Sequence, residues 1–154
     1  MKNKVILIGR TGAGKTTLTQ ALNGEKIEYS KTQEIKRSDL IFDTPGEYAE
    51  TKNFGNALAL YSYESDIVGL LLSATEPYSL YSPNITPMAN RPVIGIVTEI
   101  DKAGAKPDRA EEWLKLAGCK KIFKVSAVTG EGIPELKEFL ETFDTKKYYE
   151  TQEF

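Results

Sequence analysis

With 154 residues, 20 Lys and Arg against 22 Asp and Glu, and a net charge of −2, the chain is one domain's worth and lacks the basic excess of a general nucleic-acid or anionic-membrane binder. Its single cysteine, Cys119, excludes an internal disulfide, and the lack of histidine leaves hard oxygen ligands for any metal, which favours magnesium. The apolar run after Met1-Lys2-Asn3-Lys4 is too short for a signal peptide, and nothing approaches the roughly 18 apolar residues of a membrane span, so a soluble, cytoplasmic protein is expected.

In chain order, the run Val5-Ile6-Leu7-Ile8 predicts a first strand. It is followed by Gly9-Arg10-Thr11-Gly12-Ala13-Gly14-Lys15-Thr16 and then by the helical pattern Leu18, Ala21, Leu22. A glycine-rich turn between a strand and a helix lets backbone N–H groups wrap phosphates while the helix aims its positive end at them. Lys15 is placed to neutralise β- and γ-phosphates, Thr16 to ligate Mg²⁺ through its hydroxyl, and Thr17 to follow in the same first turn.

Thr32 to Lys36 reads as an antiparallel edge strand with a tight turn at Arg37-Ser38, and a weak helical pattern runs from Asn53 to Tyr63. Further apolar runs at Leu40 to Phe42, Ile67 to Leu72, Val93 to Val97 and Ile122 to Val125 are continuous rather than alternating, as in strands buried on both faces of a parallel sheet. The four prolines between Ala74 and Pro92 forbid a long helix there.

Ala110, Trp113, Leu114 and Ala117 mark a helix opened by Asp108 with Glu111 three residues on and closed by Gly118, which makes Trp113 a core residue. Ile133, Leu136, Leu140 and Phe143 mark another, with Pro134 in its first turn. Lys115, Lys120, Lys121 and Lys124 read as a solvated face and Cys119 as a packing residue. The alternation predicts a three-layer α/β/α sandwich with a mostly parallel sheet over residues 1–145 and a charged, aromatic tail, 146–154, expected to fray.

Three strand ends beyond the glycine loop carry chemistry. Asp43-Thr44-Pro45-Gly46 places an acid that can hold Mg²⁺ and a glycine whose N–H can reach a γ-phosphate. Thr98-Glu99-Ile100-Asp101 ends a later strand, and Ser126-Ala127 ends the last. A carboxylate such as that of Asp101 accepts from the N1–H and exocyclic amine of guanine, whereas adenine presents a lone pair at that ring nitrogen. Thr32, in a polar stretch, is a further candidate Mg²⁺ ligand able to close over the γ-phosphate.

In type, order and strand-end placement these four elements resemble the small GTPase-type P-loop proteins. The longer strings Ile8 to Leu22, Asp43 to Tyr48, Ala74-Thr75-Glu76-Pro77 and Pro92 to Gly95 resemble the ethanolamine-utilisation protein P and propanediol-utilisation protein V family in particular. The resemblance implies GTP or GDP with Mg²⁺ as ligands and a bacterial protein tied to metabolic microcompartments, with a shell or enzyme component as partner. It also implies an alternative activity, ATP-dependent acetate kinase. Two departures stand out. Glu99 occupies a position where the superfamily carries a lysine whose stem packs along the base and braces the cradle. Glu47 follows Gly46 where a water-orienting glutamine is usual. A carboxylate beside developing phosphoryl charge implies slow hydrolysis. Lys15, Gly46 and Glu47 are therefore the expected catalytic residues.

Overall fold

The computed structural model describes residues 3–9, 14–22, 41–43 (backbone), 58–59, 62–63, 65–79 and 81–154. The edge strand expected at Thr32 to Lys36, its turn at Arg37-Ser38 and most of the helix expected from Asn53 lie outside them. Of that helix, Leu58, Ala59, Ser62 and Tyr63 are described; the first three are helical and Tyr63 lies in a turn.

All five apolar runs become strands: β1 (Val5–Ile8), β2 (Ile41–Asp43), β3 (Ile67–Ser73), β4 (Val93–Thr98) and β5 (Ile122–Lys124). They form one sheet in the order β2-β1-β3-β4-β5 with every pairing parallel. The side chains of β1 and β3 are buried on both faces, which is why these runs show no polar alternation.

Successive residues serve opposite layers. Val5, Leu7, Leu71, Ile94 and Ile96 pack with Leu18 and Leu22 of α1 (Lys15–Leu22) and with Ile133, Leu136 and Leu140 of α3 (Ile133–Thr142). Ile6, Ile8, Val68, Leu70, Leu72 and Val97 face α2 (Pro107–Ala117) through Ala110, Leu114 and Ala117. Each fully buried leucine or isoleucine contributes about 1.5–3 kcal/mol of transfer free energy. Gly95 leaves room for this second layer, since a Cβ there would lie 3.1 Å from Leu114 and 3.3 Å from Cys119.

Local chemistry explains the element ends. Gly118 closes α2 at φ +112°, a left-handed conformation that favours glycine, and its N–H bonds to carbonyls of the last turn. The opening of α2 differs from the expectation. Pro107 takes the first turn, Lys106 is the cap without a side-chain bond, and Asp108 instead accepts from Lys124 at 2.9 Å. Trp113 is half-buried against the core with the Arg109 guanidinium 4.8 Å from its ring centroid. Among the described residues of the segment with four prolines is a short 3₁₀ turn, Thr86–Met88.

The tail also departs from expectation. Residues Thr145–Thr151 form α4, capped by Asp144, whose carboxylate accepts from the Lys147 N–H. Tyr148 and Phe154 lie 5.8 Å, centroid to centroid, from Phe143, so aromatic packing orders a stretch that lacks apolar periodicity. The lysine patch is largely compensated: Lys124 pairs with Asp108 and Glu111, and Lys115 with Glu111 and Glu112. Among the described residues no helix is long and apolar enough to cross a membrane.

Candidate functional site

The parallel sheet brings the carboxyl ends of β1, β3, β4 and β5 to one edge, and the motif residues gather there. Gly9 is buried directly after β1, and Gly14 opens α1 at φ +87° with its carbonyl accepting from Leu18 N–H at 2.9 Å. Lys15, Thr16 and Thr17 form the first turn of α1. No acidic residue lies in that turn, which leaves the positive end of the helix available to an anion. β2 runs beside β1 with Asp43 in register with Leu7, two residues before Gly9. Arg10, Thr11, Gly12, Ala13, Thr32, Gly46, Glu47 and the Asp43 side chain lie outside the described residues.

Beside the start of α1 is a cleft of about 170 Å³. Gly14, Thr17 and Leu18 line it from α1, Thr98, Glu99, Asp101 and Lys102 from the end of β4, and Val125, Ala127 and Val128 from the loop after β5. Five expected binding residues, Gly14, Thr17, Thr98, Asp101 and Ala127, therefore meet in one place although 113 positions separate the outermost two.

Ser126, fully buried, stands behind them. Its hydroxyl accepts from Thr129 N–H at 3.0 Å and donates its one proton to Asp101 Oδ1, 2.8 Å away, a carboxylate oxygen that accepts. That bond holds Asp101 with its remaining carboxylate lone pairs open to the cleft. The loop carrying Ser126 is closed by Ser126 N–H to Glu131 O and Gly130 N–H to Ser126 O, both 2.9 Å.

Two contributors had no signal in the sequence. Tyr81, from the proline-rich connection, is buried, with its hydroxyl 3.0 Å from Ile8 O and 2.7 Å from Leu71 O. It braces the last residue of β1 directly before the glycine loop. Burial pushes its phenol well above the ordinary tyrosine range, so it stays a neutral donor. Lys102 lies in the cleft and forms an ion pair with Glu99. A lysine four residues beyond a strand end is indistinguishable in sequence from any solvated one.

A glycine-rich segment joining a strand to a helix at the carboxyl edge of a parallel sheet, with an apolar-walled cleft ending on a fixed carboxylate, defines a P-loop domain of the GTPase type. A solved structure of a probable GTP-binding protein, engB, superposes with a TM-score of 0.58 at 20% identity, covering 88% of this chain and 94% of that one. The structure of Era in complex with MgGDPNP and a 16S ribosomal RNA segment matches with a TM-score of 0.58 at 25% identity, over 94% of this chain and 59% of Era. The family model for ethanolamine utilisation and propanediol utilisation proteins, PduV-EutP, matches residues 1–142. The propanediol utilization protein PduV of Citrobacter freundii is 44% identical over 140 residues, which span 89% of this chain and 92% of that protein. The chain belongs to the PduV-EutP family.

Proposed function

We propose that this protein is a Mg²⁺-dependent GTP-binding protein with slow intrinsic hydrolysis, serving as a nucleotide-state regulator of ethanolamine or propanediol utilisation at a bacterial microcompartment in the cytoplasm. The observation that carries the reading is the cleft in which Asp101, oriented by Ser126, faces Thr17 and Gly14 at the start of α1. A purine entering there meets a hydrogen-bond acceptor at its edge while its phosphates run toward the α1 N-terminus.

In this reading residues 9 to 17 hold the phosphates: Gly9, Arg10, Thr11, Gly12, Ala13 and Gly14 through backbone, Lys15 through its ammonium, Thr16 and Thr17 at the helix start. Thr98, Asp101, Ser126 and Ala127 hold the base. Thr16, Asp43 and Thr32 offer hydroxyl and carboxylate oxygens of the kind Mg²⁺ takes beside phosphate ligands, and Thr16 and Asp43 sit at the ends of neighbouring elements. These oxygens would hold the ion, whose charge would offset that of the phosphates. Gly46 would donate its N–H to the γ-phosphate, and Glu47 would orient water poorly, which keeps hydrolysis slow.

The test measures phosphate release from GTP and from ATP, each with and without acetate. The proposal expects slow GTP turnover that acetate does not alter and no ATP turnover. ATP consumption accelerated by acetate would replace it with the phosphotransferase reading.

A further inference from the structure

The cleft contains a charged pair that the phosphate loop and the strand-end motifs do not account for. Glu99 adopts φ +59°, rare for a non-glycine residue, which returns its side chain over the start of α1. A Cβ placed on Gly14 would lie 3.8 Å from Glu99 Cγ and 4.0 Å from Glu99 Oε1. The Glu99 side chain is 13% exposed and pairs with the ammonium of Lys102, whose side chain is 57% exposed. The turn itself brings them together, since Lys102 N–H donates to Glu99 O at 3.1 Å. Both residues line the cleft beside Thr17 and Asp101.

A lone carboxylate over Gly14 would oppose any phosphate chain approaching α1. Paired, it is neutralised, and the lysine stem is held along the cleft rather than swinging in solvent. We propose that Lys102, anchored by Glu99, is the basic wall of a purine-nucleotide pocket: its methylenes cover one face of the base while its ammonium cancels the charge that Glu99 brings to the cradle. The pair divides between two positions, bracing at Glu99 and covering at Lys102, what one lysine does in the proteins this motif resembles. The ligand class is a purine nucleoside di- or triphosphate, and the inference rests on the nucleotide-binding reading.

The test is GDP affinity, measured on the full chain by competition with a fluorescent guanine nucleotide, with folding of each variant checked by its thermal melt. Lys102→Met keeps most of the stem and strands Glu99, and is expected to weaken GDP about tenfold at low salt, a coupling of ordinary size for contacting charges. The loss should shrink in about 1 M salt, where the Debye length is about 3 Å. Adding Glu99→Gln to Lys102→Met should return GDP affinity to within about threefold of the parent chain, because the stem remains and no charge is stranded. Glu99→Gln with Lys102→Ala should recover less, because the stem is gone. Unchanged affinity in Lys102→Met, a loss insensitive to salt, or a second substitution that adds to the loss would overturn the pair while leaving the nucleotide reading intact. If the parent chain binds no purine nucleotide at all, both fall together.

Discussion

Asp101→Asn isolates the group that would read the base. Ser126 Oγ donates to the side chain of residue 101, and asparagine keeps that bond by presenting its amide oxygen as the acceptor. The amide NH₂ is thereby turned toward the base, facing the N1–H and amine of guanine, donor against donor. One charge-assisted bond is lost, at about 1.5–3 kcal/mol, and an unsatisfied donor adds about 1–3 kcal/mol. At 1.4 kcal/mol per decade the GDP dissociation constant should rise about 10²- to 10⁴-fold. Xanthosine diphosphate, with a carbonyl where guanine has its amine, should gain relative to GDP. Asp101 is exposed in the open cleft, so the melting temperature should move little. Calorimetric titration with GDP, XDP and ADP reads all of this. GDP affinity in Asp101→Asn within about threefold of the parent chain, with no gain for XDP, would refute the assignment of Asp101 to the base edge.

Glu47→Gln should raise GTP hydrolysis in a single-turnover phosphate assay by replacing an anion beside the transferring group with a neutral water-orienting amide, and an unchanged or lower rate would remove Glu47 from the site. Gly132→Ala combines φ +76° with a Cβ driven into the Lys124 carbonyl, so it should lower unfolding free energy by more than about 2 kcal/mol in urea titration; a neutral result would contradict the loop geometry behind Ser126. Burial pushes the Cys119 thiol up to about 12 from 9.0, so it should resist thiol reagents at pH 8 until the chain unfolds. Because the unfolded chain ionises this thiol first, stability should fall as pH rises from about 9 toward 12, as followed by urea midpoints, and a Cys119→Ala chain should show a shallower fall over that window.

The parts of the fold legible from the residues are those set by local pattern or by burial on both faces. Continuous runs such as Ile67 to Leu72 could only be interior strands, and Gly118 marked a helix end because the left-handed residue there favours glycine. Asp108 misled because Asp and Glu three apart imitate a capping box. Pro107, which belongs in a first turn, was the better signal. The order of Thr145–Thr151 depends on rings supplied by Phe139 and Phe143, contacts that no window of the tail itself contains. Thr98, Asp101 and Ala127, the residues proposed to hold the base, are legible as strand ends, which a parallel sheet must gather at one edge. Tyr81 reaching Ile8 across 73 positions, and Glu99 folding back over Gly14, depend on tertiary placement and an uncommon φ that no spacing records.

The most direct measurement is calorimetric titration of the folded chain and of its Lys15→Ala variant with GTP, GDP and ATP in the presence of Mg²⁺. Saturable heat at one site with both guanine nucleotides, no heat with ATP, and loss of the guanine signal in Lys15→Ala are predicted. A folded chain that gives no heat with any of the three, or a Lys15→Ala variant that titrates like its parent, would contradict the account.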